Sequence, residues 1–323
     1  MQILIISGFL GAGKTTFIKE LIRRTDYRPV IMENEYGANN LDSLELQNAT
    51  SEEGEIKILE FMEGCVCCTM KDSFVNSVMA IFSSLSPEYL IIEPTGVGRL
   101  SSITENLQPI LGKVNFLLPP IVVLSPSSYY QNMREWPELY TDQIANAKRV
   151  VFSKCENAAA EEIQKVTEEI LKINPDAEVT GEHYTKMDAV WWESLMLPEK
   201  SNIVNRKEMY FAENGEKRKN RFFEAAKGST ESFSQVSIQK AGLYNPSELV
   251  QFLEDCLRGE FGLVARAKGT LWVGSELLRF DMADKMYAVS ASPDDESQCV
   301  FIGKKLDEKK LKHRLGGGHR GIR

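Results

Sequence analysis

Short apolar runs recur along the first half of the chain, at residues 3–6, 29–32, 56–61, 89–92, 121–124 and 149–152. Each is rich in Ile, Val or Leu, and most are separated by helical patterns. Phe17, Ile18, Leu21 and Ile22 share one face after the first run, and Phe74, Val75, Val78, Met79 and Phe82 share one face over 72–82. Near-continuous apolar strands alternating with amphipathic helices predict a parallel sheet covered on both sides, with its chemistry in the loops at the carboxyl ends of the strands. Beyond residue 197 the pattern turns polar and reads as a linker or insertion, with a basic cluster, Lys217, Arg218, Lys219 and Arg221, that reads as a solvated face, a partner-docking site being the other reading. Alternating runs at 233–238, 264–273, 279–289 and 300–303 then surround two helices. Asn245 caps the first, Pro246 begins it and Leu249, Val250, Leu253 and Leu257 form its face; the second starts near Asp307. That combination predicts a small α+β domain with one covered sheet face. The expected organisation is an α/β domain over 1–198, a polar linker over 199–231, a smaller C-terminal α+β domain over 232–314 and a flexible tail over 315–323.

Within the first strand–helix unit the chain reads GFLGAGKTT. Gly8, Gly13, Lys14 and Thr15 satisfy G-x-x-x-x-G-K-[ST], in which glycines let backbone N–H groups converge on phosphates. Lys14 reaches the β- and γ-phosphates, Thr15 a Mg²⁺ ion, and the following helix points its positive end at the same anion. The fold class is therefore a P-loop domain with a mainly parallel sheet.

Four further strand ends carry chemistry. Glu33-Asn34-Glu35-Tyr36-Gly37 follows the second strand and leads into a polar segment, 38–55, that contains Asp42 and has the composition of a nucleotide-dependent switch. Glu93-Pro94-Thr95-Gly96 places an acid where a nucleotide hydrolase holds its second metal-site group, with Gly96 offering an N–H to the γ-phosphate. Ser153-Lys154-Cys155-Glu156 approximates the [NT]KxD base-reading loop, in which the lysine packs on guanine and the acid accepts its N–H groups. After the third strand, Cys65, Cys67 and Cys68 fall just before a helix N-terminus, which favours thiolate. Thiolates with one carboxylate suit an incomplete tetrahedral Zn²⁺ site; buried structural cysteines and a Cys67–Cys68 redox switch are the other readings. Cys155, Cys256 and Cys299 stand singly in apolar surroundings and read as core.

Composition narrows the partners. The 323 residues carry 38 basic against 46 acidic side chains, a net charge of −8, which offers no electrostatic reason to bind nucleic acid or an anionic membrane. No run of 18 apolar residues exists and the start has no basic leader, so a cytoplasmic protein is expected.

Taken in order, GFLGAGKTT, ENEYG, EGCVCC, EPTG, DQIANAKRVVFSK and INPDA, then ARAKGTLW and VFIGKKLDEKKL, resemble the CobW-like GTPases. That metal-chaperone branch of the P-loop GTPases also includes the nickel-insertion GTPases of hydrogenase and urease maturation, and its Cys-x-Cys-Cys is specific to it. The resemblance implies that Gly11, Ala12, Gly13, Lys14, Thr15 and Thr16 bind the phosphates of GTP or GDP, and that Thr15 with Asp42 or Glu93 attends Mg²⁺. It implies that Cys65, Cys67, Cys68 and Glu33 bind zinc, cobalt or nickel for transfer to a client metalloprotein. Lys14, Glu93 and Asp42 then carry hydrolysis. No arginine finger is identifiable, so turnover is expected to be slow until a partner or a homodimer supplies one. The departures are Ala38 and Ser125 at positions where relatives carry carboxylates, and Ser153 and Glu156 in the base loop, which leave ATP open beside GTP. With only His183, His313 and His319 in the chain, a histidine-rich metal store is excluded. A nucleotide-gated interaction protein with a structural metal, or a redox-responsive regulator, are the alternative functions.

Overall fold

The strand that feeds the phosphate loop, β1 (Gln2–Ser7), lies inside the first sheet. A computed structural model describes residues 1–34, 58–61, 71–112, 114–198, 233–292 and 296–316. On one side of β1 run β4 (Tyr89–Glu93), β2 (Val30–Asn34) and β3 (Ile58–Phe61). On the other side run β6 (Ile121–Leu124), β7 (Arg149–Phe152) and β8 (Glu178–His183), while the short β5 (Phe116–Leu117) also pairs with β1. All of these pairings are parallel.

Both faces of this sheet are covered, which is why its inner strands are apolar at successive positions. Ile3, Ile5, Leu90 and Ile92 enter one core with Phe74 and Val78 of α2 (Lys71–Leu85) and Leu100 and Ile103 of α3 (Leu100–Leu107). Leu4, Ile6 and Ile91 enter the other with Phe17, Ile18 and Leu21 of α1 (Lys14–Arg24). α4 (Tyr129–Glu135), α5 (Pro137–Asn146) and α6 (Ala160–Ile173) complete the first side; Trp192 of α7 (Ala189–Ser194) closes the second. The runs expected at 29–32, 56–61, 89–92, 121–124 and 149–152 each contain a strand. β8 carried no such signal because Glu178, Gly181 and Glu182 are exposed and leave it no continuous apolar run to show.

The C-terminal part builds a second sheet of β9 (Ser234–Gln239), β10 (Gly242–Leu243), β11 (Leu263–Val273), β12 (Glu276–Ala283), β13 (Met286–Ala291) and β14 (Gln298–Lys304). Its order is β13-β12-β11-β14-β9, antiparallel throughout, with β10 added parallel to β11. α8 (Pro246–Arg258) is capped as expected, Asn245 accepting from the Glu248 N–H at 3.0 Å, and α9 (Glu308–Leu315) by Asp307 accepting from Lys310 N–H at 3.0 Å.

Two expectations are corrected here. The run at 279–289 is two strands, reversed at Asp284 and Lys285, whose φ angles of 52° and 58° make a two-residue hairpin turn of the primed type. Asn-Gly or Asp-Gly normally marks such a turn, and Asp-Lys does not. Nor is the second sheet covered on one face alone. Cys299 and Phe301 pack on α8 and α9, whereas Val300, Ile302 and Ala265 on the reverse face join the core of the first domain. The segment expected as a linker, 199–231, falls outside the described residues.

Candidate functional site: a phosphate loop, an acidic strand end and a base loop

Gly8, Gly11 and Gly13 have φ of 145°, 76° and 87°, the curl that turns the loop's amides inward. Gly8 also presses against β6: a Cβ there would lie 2.2 Å from the Val123 carbonyl oxygen. The loop is closed by Ala12 N–H donating to Phe9 O at 3.1 Å. Gly13 is the left-handed N-cap of α1 and offers no side-chain acceptor, and the first turn holds no acid, so the helix end stays available to an anion. Lys14 is buried to 7% exposure, with Nζ 3.5 Å from Phe9 O, and Thr16 is exposed on the first turn.

Glu93 ends β4 beside this helix, and the Thr15 hydroxyl donates to its Oε1 at 2.9 Å. Glu33 of β2 is its register neighbour, and both are buried, at 6% and 9% exposure. The hydroxyl and carboxylate oxygens of Thr15 and Glu93, in contact beside the phosphate loop, fit a hard, hydrated Mg²⁺ ion. Pro94 and Thr95 then turn the chain so that Gly96 lies on the phosphate loop; a Cβ on Gly96 would sit 2.4 Å from Leu10 N. Gln143 of α5, 1% exposed, braces this turn by donating from Nε2 to Gly96 O at 3.3 Å and Gly98 O at 3.2 Å.

Ser153 follows β7 and its hydroxyl donates to Ala12 O at 2.7 Å, tying the base loop to the phosphate loop across 141 residues of sequence. Lys154 adopts φ 52° and pairs through Nζ with Asp284 Oδ2 at 3.1 Å. Cys155 is buried, which pushes its thiol pKa up. Glu156 is exposed and meets His183 Nε2 at 3.2 Å. Thr185 N–H donates to His183 Nδ1, so the ring proton belongs on Nε2, directed at Glu156. The Ser125 hydroxyl, where a carboxylate was expected in relatives, bonds that of Ser127 at 2.9 Å.

The structure thus gathers Gly11, Ala12, Gly13, Lys14, Thr15, Glu93, Gly96, Ser153 and Lys154 around one loop. Asp42, Cys65, Cys67 and Cys68 lie outside the described residues; among the described residues no cluster of His, Cys, Asp or Glu has metal-site character. Sequence reasoning missed Gln143, His183 and Asp284. Gln143 sits in the DQIANAK stretch without a role of its own, and nothing at Asp284 signals that a residue 130 positions away would meet the base loop.

A parallel sheet whose inner strand runs through a glycine loop into an open helix N-terminus, with an acid contacting the loop's threonine, defines a P-loop nucleotide-binding protein. The chain belongs to the CobW/HypB/UreG family: the family's nucleotide-binding domain matches residues 2–181, and the cobalamin synthesis protein CobW C-terminal domain matches 233–317. The zinc chaperone YjiA of Escherichia coli K12 is 23% identical to it over 332 aligned positions, covering 98% of each protein. Zinc-regulated GTPase metalloprotein activator 1 of Schizosaccharomyces pombe is 26% identical over 196 positions, 59% of this chain and 47% of that one. The crystal structure of Zn(II)-bound YjiA GTPase from E. coli aligns over 99% of each chain with a TM-score of 0.42 at 18% identity.

Proposed function

We propose that this protein binds and hydrolyses GTP and uses the nucleotide state to control the binding and delivery of a transition metal, zinc first, to a client metalloprotein. The observation that carries the nucleotide half is the convergence of three loops from β1, β4 and β7, with Ser153 Oγ fastened to Ala12 O and Thr15 Oγ1 to Glu93. In this reading the loop amides and Lys14 stabilise the charge that develops on the transferred phosphoryl group. Mg²⁺, held by Thr15 and Glu93 with Asp42, neutralises phosphate charge when bound. Glu93 or Asp42 orients the attacking water. Lys154 packs on the base and Glu156, held through His183, accepts from its edge. The names of the relatives, zinc chaperones and zinc-regulated GTPase activators, support the metal half. The cargo is assigned to Cys65, Cys67 and Cys68 with Glu33, at the root of the switch segment, so that ordering of residues 34–42 by the γ-phosphate changes the metal's ligands.

Metal affinity decides the coupling. Reduced wild-type protein and a Cys65/Cys67/Cys68 triple serine variant, each loaded with Mg²⁺ and GDP or a non-hydrolysable GTP analogue, are titrated with Zn²⁺, Co²⁺ and Ni²⁺ against a chromophoric chelator. Affinity that depends on both the cysteines and the nucleotide is expected, and affinity indifferent to nucleotide sinks the chaperone reading in favour of a structural thiol site. Lys14→Ala is expected to abolish phosphate release, and unchanged turnover in that variant moves hydrolysis away from this loop.

A further inference from the structure

The nucleotide site is bordered by the second domain. The turn between β12 and β13 reaches the phosphate loop closely enough that a Cβ on Gly11 would lie 2.7 Å from Ala283 Cβ and 3.2 Å from Asp284 Oδ2. The Asp284 side chain is 6% exposed, and the described partner of its carboxylate is the ammonium of Lys154, at 3.1 Å. Lys285, the other residue of the turn, pairs away from the site with Glu135 Oε1 at 2.8 Å. Two adjacent charges on one turn therefore address two different things, the base loop and the flank of the first domain.

We propose that Asp284 is a positioning residue for nucleotide binding: it anchors the Lys154 ammonium so that the lysine stem is held ready against the base. The inference rests on the reading of 153–156 as the base loop. A free lysine side chain carries rotamer entropy that must be lost when it stacks, and a lysine fixed at its backbone by φ 52° and at its tip by a carboxylate has lost it in advance. The second domain thereby contributes to how long a nucleotide stays, and displacement of its hairpin by a partner would shorten that stay.

The test is the dissociation rate of fluorescent N-methylanthraniloyl-GDP from the full-length protein with Mg²⁺, chased by unlabelled GDP. Asp284→Asn removes the charge and places at a positive-φ position a residue that primed turns favour, so faster release cannot come from a weakened turn. The expected result is release about fivefold faster, the scale of a partly exposed ion pair, with a smaller dependence on salt than in wild type. Asp284→Glu is expected to recover most of the difference. Lys285→Ala, which cuts the neighbouring tether to Glu135, should leave the rate within a factor of about two. In Lys154→Ala, adding Asp284→Asn should change nothing further. Wild-type rates in Asp284→Asn overturn the proposal, as does equal acceleration by Lys285→Ala or an additive double variant. Wild-type protein that fails to bind the labelled GDP takes down the nucleotide-site reading itself, which is a separate result.

Discussion

Gly96 illustrates how little room the phosphate loop leaves. Its missing side chain lets the turn after β4 rest on Leu10, and Gly96→Ala would force a Cβ to 2.4 Å from a backbone nitrogen. All three nearest atoms are backbone of Phe9 and Leu10 and cannot swing aside, so the variant should lose GDP binding by calorimetric titration and melt lower than wild type. Ser153→Ala, by contrast, removes one hydrogen bond to Ala12 O at a cost of about 1 kcal/mol, and should weaken nucleotide affinity about fivefold with the fold retained. The described cysteines give a third outcome. Burial raises the Cys155 thiol pKa, pushes Cys256 up to about 12 and raises Cys299 further. Since the reactive species is the thiolate, all three should stay unlabelled by iodoacetamide at pH 8 in native protein and become labelled after denaturation, as peptide mass mapping would show. Lys14, Thr15, Glu93 and Ser153 were legible in the sequence because each sits at a fixed offset from a strand end. Gln143, His183 and Asp284 were not, because they reach the site from elements whose placement no local pattern encodes.

Elements show the same division. β1, β4, β6 and β7 are buried on both faces, so their apolar runs announced them; β8 is exposed at Glu178, Gly181 and Glu182 and reads as polar. α8 and α9 were marked by Asn245 and Asp307, caps whose hydrogen bonds are local. The hairpin of β12 and β13 was missed because its turn is Asp-Lys, a pair that accepts two positive φ angles without advertising them. α5 acts on the site at a distance. Its Gln143 satisfies two carbonyls of the Gly96 turn, and Gln143→Leu would leave both without that donor in a buried setting, which costs about 1–3 kcal/mol. A lower urea midpoint with unchanged slope is the expected reading, and an unshifted midpoint would show that the turn holds without the brace.

At the scale of the whole molecule the two sheets share a core, and Trp136 is its joint. The indole is 1% exposed, 5.7 Å from Phe9 in the phosphate loop, stacked at 4.6 Å on Phe233, and 4.5 Å from the Lys304 ammonium of the second domain. Val300, Ile302 and Ala265 extend this contact from the reverse face of the second sheet. A joint of this kind makes the domains melt together, so a single calorimetric transition is expected for the wild type. Trp136→Ala, a core truncation of about 3–5 kcal/mol, should lower the Tm and separate the endotherm into two. The one-face sheet expected from sequence was an error of the same origin as the missed Asp284, since alternation along a strand reveals that a face is apolar but not what lies opposite it.

The same indole is also a built-in optical gauge. Tryptophan emission responds to the charges and rings around it, and this one has the phosphate loop on one side and a cation of the second domain on the other. A shift of the second domain against the loop is expected to change the wavelength or lifetime of that emission, read as the difference between wild type and Trp136→Phe because the chain holds four tryptophans, and titration with GDP tests whether nucleotide moves it.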